Sequence, residues 1–385
     1  MPWKETTAMS LRLEFVELAL KEGANISQLC RDFGISRTTG YKWLLRFQES
    51  GRVPSSLADR SRRPHRSPRR TPAAVEQAVL QVRREHPAWG GRKIRAYLQR
   101  RGQSNVPSPS TITEILRRHG YIASEESMKH RPYQRFEMEA PNELWQMDFK
   151  GRVSLAGGGY CHPLTVLDDH SRFLLGLRAC PNERRDTVQR HLISLFRQYG
   201  LPKRMLMDNG PPWGHDGRIP STKLSAWLIR LGIVISHPRP YHPQTLGKDE
   251  RLHRSLKDEL LSQCSLEDLS HCQVAFDRWQ QIYNHERPHE ALDLNPPAIY
   301  YVPSPRPFPE QMPPVVYDVG DIVRKVGTTG RISFHRRRFR VGKALSHESV
   351  ALRPAETDGD FDVYFCHHKV AQISLRVHND PGADL

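Results

Sequence analysis

The chain has 385 residues, too many for one ordinary domain, and its 37% apolar content can supply several hydrophobic cores. Its 58 Lys and Arg outnumber 42 acids, which gives a net charge of +16 at pH 7. A surplus of this size indicates a polyanionic partner, most often nucleic acid. A ribosomal protein, a membrane-surface protein or a solvated basic face would show the same charge.

The six cysteines are scattered and include no C-x-x-C pair, which argues against disulfides and a cysteine-based zinc module. The N-terminus lacks an apolar signal segment, and no stretch approaches the roughly 18 apolar residues of a membrane span. We therefore expect a protein of a reducing, cytoplasmic compartment with no membrane association.

Residues 1–50 predict three short helices with a glycine turn between the second and the third. Ser27 is a candidate N-cap for the second helix, and Ser36 is one for the third, which covers about 37–47. This order is the helix-turn-helix pattern, although a plain three-helix bundle also has it. The first turns of the third helix would then reach the DNA bases. The side chains predicted to do so are Arg37, Thr38, Thr39 and Lys42.

Residues 51–71 predict a basic linker with neither helix nor strand, because arginines, prolines and serines dominate them. Such a segment can lie along DNA or act only as a solvated tether. The basic charge extends further, since residues 60–101 hold 13 Lys and Arg and only two acids. We expect this part of the chain to carry much of the non-specific attraction to DNA.

A second trihelical pattern over 72–125 predicts another helix-turn-helix domain. Pro72 is placed for a first helical turn, a Trp-Gly-Gly sequence opens the second helix, and Ser110 is a candidate cap for the third. Arg92 and Lys93, at the start of the second helix, are predicted DNA contacts. Two such domains joined by a basic linker favour DNA binding more than either does alone.

Strand patterns begin near 140, and residues 138–302 predict an α/β core. Three consecutive strands are followed by alternating helices and strands, an order that matches the RNase H-like arrangement. Asp168 and Asp169 fall in a predicted hairpin turn, so we do not expect them to bind metal. The predicted strands are Leu144–Lys150, Tyr160–Leu167, Phe173–Ala179, Arg204–Met207 and Ile233–Ser236. The predicted helices cover 186–199, 221–231, 265–287 and a stretch from about 247.

After a Pro-rich stretch at 303–314, residues 315–377 are rich in β-forming residues and turns, and predict a small β-barrel. Three consecutive arginines, Arg336 to Arg338, either form a phosphate-binding edge or belong to an ordinary exposed hairpin. The sequence does not separate these two interpretations.

Three acids are placed for metal-dependent phosphodiester chemistry. Asp148 lies inside the first strand, where a charge is costly unless it is paired or metal-bound. Asp208 ends a strand, at the sheet edge where sites of α/β folds gather. Glu250 lies in the first turn of the helix from 247. Converging carboxylates of this kind hold two Mg²⁺ ions ~3.5–4 Å apart, which activate the nucleophile and stabilise the leaving oxygen.

Two of these acids also have plain interpretations, because Asp208 can simply start a turn and Glu250 can simply pair with Arg254. The distribution of side chains around this helix nevertheless favours a metal site. Leucines at 252, 256 and 260 would face the core, while Glu250 would share the opposite face with His253, Arg254 and Lys257. Arg254 and Lys257 are therefore predicted DNA contacts. Asp249 would point about 100° away from Glu250.

The segments W-Q-M-D-F, M-D-N-G-P-P-W-G and H-P-Q-T-L-G-K-D-E-R-L-H-R-S-L-K resemble the three catalytic blocks of the retroviral integrase superfamily. They are more similar to bacterial insertion-sequence transposases of the "four-eight-one" group, and residues 280–301 are similar to the stretch after the third block. The resemblance is strong over 140–301. One departure is the 41 residues between Asp208 and Glu250, a longer gap than the family pattern has. We place the extra length in 211–220.

This resemblance implies a DDE transposase in which Asp148, Asp208 and Glu250 bind two Mg²⁺ ions, with Mn²⁺ as a possible substitute. It implies cleavage at element ends and attack of the freed 3′-hydroxyl on target DNA. It also implies a dimer or larger assembly on double-stranded DNA, with terminal inverted repeats and target DNA as partners. The setting would be bacterial and nucleoid-associated. The sequence has no match to the zinc module of retroviral integrases, so no structural zinc is expected.

Two other functions fit the same pattern. One is a sequence-specific DNA-binding regulator with a decayed catalytic core, and the intact acidic triad disfavours it. The other is a structure-specific nuclease that cuts DNA without joining strands.

Overall fold

The computed structural model describes residues 7–60, 71–122, 138–208, 212–214, 222–237 and 247–376. Residues 61–70 of the predicted linker, most of the predicted insertion at 211–220 and the segment 238–246 lie outside the described residues. The chain divides into two compact units, residues 1–70 and 71–385. No helix in the described ranges is both long and apolar enough to cross a membrane.

The first unit contains the three predicted helices, α1 (Ala8–Ala19), α2 (Ile26–Asp32) and α3 (Arg37–Glu49). Ser36 caps α3 as expected, but Asn25 rather than Ser27 caps α2, because its side chain accepts the N–H of Gln28. Within the predicted linker, Pro54–Leu57 forms a short 3-10 helix, contrary to the expectation of no helix. The buried Leu57 anchors this turn in the core of the unit.

Gly40 on α3 allows the close packing of the first unit. A Cβ there would meet the sulfur of Cys30 at 2.5 Å and the ring of Phe15 at 2.9 Å. Because both neighbours are themselves buried, neither can move away without disturbing the core. The close approach of α3 to the other two helices therefore depends on Gly40 having no side chain.

The second unit begins with α4 (Ala73–Glu85), α5 (Gly91–Arg100) and α6 (Pro109–Arg118). Trp89, Ile94, Ile112 and Leu116 are fully buried between these helices. Ser108 rather than Ser110 caps α6, because Pro109 takes the first helical position and Ser108 Oγ accepts the N–H of Thr111. The second predicted trihelical pattern is thus present, with its third helix beginning one residue before Ser110.

A mixed sheet forms the centre of the second unit, and its elements match the predicted order. The strands are β1 (Leu144–Phe149), β2 (Val153–Ser154), β3 (Tyr160–Asp168), β4 (Leu174–Cys180), β5 (Arg204–Met207) and β6 (Val234–Ser236). The path β2-β3-β1-β5-β6 is antiparallel from β2 to β1 and parallel from β1 to β6, and β4 pairs with β3. The predicted α/β core, with three consecutive strands followed by alternating helices and strands, is therefore confirmed.

Helices cover both faces of this sheet. They are α7 (Arg185–Tyr199), α8 (Lys223–Arg230), α9 (Gly247–Leu256) and α10 (Leu269–Gln281). Apolar side chains of α7 and α8 pack on one face, and those of α9 and α10 pack on the other. The α9 helix continues into a π-helical turn at Lys257–Leu261, and α10 into one at Ile282–Glu286.

The C-terminal part packs against α8 and forms antiparallel sheets. Its strands are β7 (Ile322–Lys325), β8 (Arg331–Phe334), β9 (Arg337–Arg340), β10 (Ser349–Pro354), β11 (Asp360–Phe365) and β12 (His368–Ser374). Four strands pair in the order β12-β11-β10-β7, and β8 pairs with β9 alone. The β-structure expected from the composition is present, but the expected barrel does not close within 315–376, because β7 and β12 lie at opposite edges of their sheet.

Substitution of Gly40 by Ala should destabilise the first unit by about 1–3 kcal/mol, because the added methyl overlaps buried neighbours. Chemical unfolding followed by circular dichroism measures this loss. Gln48→Ala on the exposed face of the same helix is the matched control and should have little effect. Equal stability of the Gly40→Ala and Gln48→Ala variants would show that α3 does not need this close approach.

Candidate active site

Strand β1 places Asp148 on the sheet face that α9 covers. Trp145 and Met147 alternate with it and are buried on the α7 and α8 side. The Asp148 side chain is 28% exposed, and its Oδ1 accepts the N–H of Phe149 at 2.8 Å. Asp148 is thus held at the end of a buried strand with one oxygen facing the site.

Asp208 lies beside Asp148 because β1 and β5 are parallel neighbours. The register pairs Met147 with Met207. Asp148 follows the first of these residues in the chain, and Asp208 follows the second. Burial raises the pKa of Asp148 to about 6, and the like charge of Asp208 also acts to raise it. Asp208 itself is exposed. The structure therefore brings together two carboxylates that repel each other, which is an arrangement suited to a shared cation.

Glu250 lies exposed in the first turn of α9. Arg254 and Lys257 are exposed on the same side, as the helix phases predicted, while Leu252 and Leu256 are buried. Glu250, Arg254 and Lys257 thus present one acid and two cations to solvent on this side of the helix.

His253 departs from the predicted exposed face and turns inward. Its Nε2 lies 2.9 Å from Thr165 Oγ1, and its Nδ1 lies 3.9 Å from Asp148 Oδ2. Thr165 Oγ1 also lies 3.0 Å from the Asp148 carbonyl oxygen, to which it can donate. Burial lowers the pKa of His253 to about 4, so the ring is neutral at pH 7. His253 therefore links α9 to the strand that carries Asp148.

The hairpin acids are structural anchors, as their predicted turn position suggested. Asp168 accepts the backbone N–H groups of Asn142 and Ser171, and Asp169 accepts an amide hydrogen bond from Gln146 at 2.6 Å. Lys248 Nζ lies 2.5 Å from Asp169 Oδ2. These contacts join the turn after β3 to β1 and to the start of α9.

A divalent cation fits the chemistry of this site, because Asp148, Asp208 and Glu250 offer oxygen ligands only. Within the described ranges, no three His, Cys, Asp or Glu side chains lie close enough together to hold an ion by themselves. The structure therefore brings Asp148 and Asp208 next to each other but does not gather Asp148, Asp208 and Glu250 into one three-ligand set.

The segment that follows α9 is fixed by a buried ion pair. Arg287 donates to Glu259 Oε1 at 2.9 Å and to Ser255 Oγ at 2.9 Å, and both charged side chains are 8% exposed. The buried ring of Tyr283 lies next to the guanidinium. The segment 282–289 therefore holds the helix that carries Glu250 and His253.

On α3 of the first unit, the predicted base contacts Arg37, Thr38 and Lys42 are exposed. Thr39 is different, because its hydroxyl lies 2.9 Å from Ser36 Oγ and belongs to the helix cap. The exposed side chain of Tyr41 on the same helix was missed, since an aromatic residue in a short helix is more often part of the core. The exposed part of α3 thus combines two cations with an aromatic ring.

The helix α5, which carries Arg92 and Lys93, packs against residues 286–294. Arg92 is well exposed and 3.9 Å from Glu290, whereas burial lowers the pKa of Lys93 to about 8. Tyr97 donates to Glu286, and Arg100 donates to two core carbonyl groups. In this arrangement α5 packs against the core, with Arg92 exposed and Lys93 half-buried.

The β8–β9 hairpin is strongly basic. Residues 322–343 contain eight Lys and Arg and no acid. Arg331 and Arg340 are directly opposite each other, and Arg338 lies opposite Ser333 on the same exposed face. The hairpin therefore carries a cluster of cations on one exposed face.

Five family models match the chain. Residues 138–243 and 231–297 match the integrase core domain, and 321–381 match the C-terminal domain of IS481 family transposases. Residues 11–65 match a helix-turn-helix domain, and 39–116 match a homeodomain-like domain. The resemblance inferred from the motifs is confirmed at the level of domains. The chain carries an integrase core domain, helix-turn-helix domains and a C-terminal domain that matches that of IS481 family transposases.

Among the relatives is a putative transposase of insertion sequence element IS5376 from Geobacillus stearothermophilus. It is 22% identical over 92% of this chain and 84% of its own length. An uncharacterised 31.7 kDa protein of element IS407 from Burkholderia multivorans is 28% identical over 41% of this chain. The match spans 55% of that protein.

Solved structures of viral integrases are also similar. The HTLV-2 integrase catalytic core domain in complex with magnesium is 16% identical, with a TM-score of 0.33, over 42% of this chain and 97% of its own. The simian T-cell lymphotropic virus intasome in complex with a PP2A regulatory subunit is 14% identical, with a TM-score of 0.39, over 77% of this chain and 95% of its own.

Removal of the Arg287 side chain should cost about 3–5 kcal/mol, because Glu259 would remain buried without its partner. The double variant Arg287→Ala, Glu259→Ala should lose less than the sum of the single variants, as a double-mutant cycle by urea unfolding can measure. Additive losses would show that the two side chains do not interact as the structure indicates.

Proposed function

We propose that the protein is a DNA transposase that cleaves phosphodiester bonds at element ends and joins the 3′-hydroxyl ends to target DNA. The observation that carries this proposal is that Asp148 on β1 and Asp208, just after the neighbouring parallel strand β5, lie side by side in an integrase core. Glu250, in the exposed first turn of the neighbouring helix, is the third acid that we propose for the set. The insertion-sequence relatives support the same activity.

The carboxylates of Asp148, Asp208 and Glu250 would hold two divalent ions, Mg²⁺ or in its place Mn²⁺. When bound, such ions make water or a 3′-hydroxyl nucleophilic and stabilise charge on the leaving oxygen. The protein's part is to position these acids and to accept the DNA backbone next to them. Arg254 and Lys257, one and two turns after Glu250, are placed to contact phosphates of that backbone.

Double-stranded DNA is the proposed partner, as terminal inverted repeats and as target. Arg37, Thr38 and Lys42 on α3 would read base edges of the repeat, and Arg92 would contact phosphate. The basic β8–β9 hairpin would add sequence-independent attraction. Because two element ends must be held together before transfer, we propose a dimer or larger assembly on DNA.

Asp148→Asn, Asp208→Asn and Glu250→Gln should each abolish cleavage and joining, because each removes a charged ligand while preserving shape. Binding to element ends should remain within about twofold of the unmodified protein, since the helix-turn-helix domains are untouched. Cleavage and strand-transfer assays on a labelled element end in Mg²⁺ and in Mn²⁺ measure the first effect, and gel-shift titration measures the second.

The same assays separate the alternatives. Binding of unmodified protein without nicking would identify a DNA-binding regulator, and nicking without a joined product would identify a nuclease. Near-normal turnover of any one variant would remove that residue from the active site.

Arg37→Ala and Lys42→Ala should weaken binding to the element end by roughly 1–3 kcal/mol per lost base contact while leaving random DNA binding little changed. Arg338→Ala and Arg340→Ala should instead weaken binding to both DNAs alike and reduce its salt dependence. Titrations at several salt concentrations measure both effects. If the α3 variants left the ratio of specific to random binding unchanged, α3 would not be the recognition helix.

A further inference from the structure

The imidazole of His253 lies between α9 and the strands that surround Asp148. Its side chain is 12% exposed, and its Nε2 is 2.9 Å from Oγ1 of the fully buried Thr165 on β3. Thr165 Oγ1 is in turn 3.0 Å from the carbonyl oxygen of Asp148. The register places Thr165 directly opposite Asp148 on the neighbouring strand. Two hydrogen bonds thus connect α9 to the backbone of a proposed metal ligand.

The two contacts also indicate which imidazole nitrogen carries the proton. The Thr165 hydroxyl has a single hydrogen, and the Asp148 carbonyl oxygen can only accept one. When Thr165 donates to that carbonyl, its own oxygen accepts from His253, so Nε2 is the protonated nitrogen. His253 Nδ1 lies 3.9 Å from Asp148 Oδ2, which is beyond hydrogen-bond distance. In this assignment His253 is linked to Asp148 only through Thr165.

The position of Glu250 depends on the same helix. Glu250 lies three residues before His253, so the two side chains are neighbours on the surface of α9, about one turn apart. Among the described residues, Glu250 is not gathered with Asp148 and Asp208 into one three-ligand set. Where Glu250 can meet those acids is therefore set by how α9 is held against the sheet. The link through His253 fixes α9 near the middle of its length.

We propose that His253 and Thr165 are positioning residues of the active site, which hold the helix that carries Glu250 at a fixed distance from Asp148. This proposal rests on the proposed function, which makes the two acids cation ligands. In this role His253 and Thr165 act on the placement of the acids and contact neither DNA nor the cation. Loss of either hydrogen bond lets α9 move relative to β1, and a misplacement of about 1 Å in an active site lowers the rate by about a hundredfold.

A purely structural role for His253 predicts a different result. The ring would then only fill space between α9 and the sheet, and any polar side chain of similar bulk would replace it. In a positioning role the outcome depends on which atom donates to Thr165. The amide nitrogen of Gln reaches about as far as imidazole Nε2, whereas that of Asn reaches only as far as Nδ1. His253→Gln should therefore keep the hydrogen bond, and His253→Asn should lose it.

The experiment uses the full chain with a labelled element end in Mg²⁺. It measures the single-turnover cleavage rate, and gel-shift titration measures end binding. We expect His253→Ala, His253→Asn and Thr165→Val each to lower the rate by about tenfold or more, while the dissociation constant stays within about twofold. His253→Gln and Thr165→Ser, which retain the donor and the hydroxyl, should stay within about threefold of the unmodified rate.

A histidine elsewhere in the unit provides the matched control. His191 is half-buried on α7, which packs on the opposite face of the sheet. His191→Ala should leave the cleavage rate within about twofold of the unmodified protein, because it removes no link to α9. The double variant His253→Ala, Thr165→Val should be no slower than the slower single variant, since both changes break the same link.

Nuclear magnetic resonance of the imidazole nitrogens gives a second readout, without DNA and without metal. In protein labelled with ¹⁵N-histidine, the ring signals of His253 are assigned by their loss in His253→Gln. They should show the tautomer that is protonated at Nε2. Thr165→Val should shift the Nε2 signal, because the acceptor has been removed, whereas His191→Ala should leave it unchanged.

Several results would overturn the positioning role while the proposed function still held. They are a near-normal cleavage rate in His253→Ala or Thr165→Val, equal rates for His253→Gln and His253→Asn, additive losses in the double variant, or a ring protonated at Nδ1. Failure of the unmodified protein to cleave an element end would overturn both proposals.

Discussion

The parallel pairing of β1 with β5 is the constraint on which the candidate site depends. It sets Met147 opposite Met207 and thereby places Asp148 and Asp208 next to each other at the ends of their strands. Neither acid could be moved without shifting a strand of a sheet that is covered on both faces, because one face packs on α7 and α8 and the other on α9 and α10. The fold thus maintains a repulsive pair of charges that a cation would relieve.

Helix α9 brings the remaining site residues to this pair and is held from both ends. Lys248 contacts Asp169 at its beginning, and Arg287 holds Glu259 just after its end. Between these anchors, His253 reaches across to Thr165 on β3. The helix therefore has one fixed rotation, with Glu250 toward solvent and Asp249 toward the core.

The large basic surplus of the chain serves several purposes rather than one. Some cations take part in packing, such as Arg100 on α5 and Arg306, which donates to three backbone carbonyl groups of the core. Others remain on surfaces, above all on α3 and on the β8–β9 hairpin. Net charge by itself indicates a polyanionic partner, and only the three-dimensional arrangement shows which cations can reach it.

Local patterns in the sequence determined the elements of this protein. Alternation and apolar spacing predicted the strands and helices of the core to within a few residues, and the motifs around Asp148, Asp208 and Glu250 were sufficient to indicate an integrase core. Helix starts were less certain, because several residues can cap the same helix. Asn25 and Ser108 replaced the predicted Ser27 and Ser110 for this reason.

Only the tertiary structure decided which side of α9 each residue occupies. It also decided whether the C-terminal strands close into a barrel. A helical period orders side chains around the axis but leaves the rotation of the helix open, and that rotation follows from contacts with β1, β3 and residue 287. His253 and the buried Asp249 were therefore not placed by the sequence pattern. The open C-terminal sheet likewise follows from pairing between distant strands, which short-range patterns do not specify.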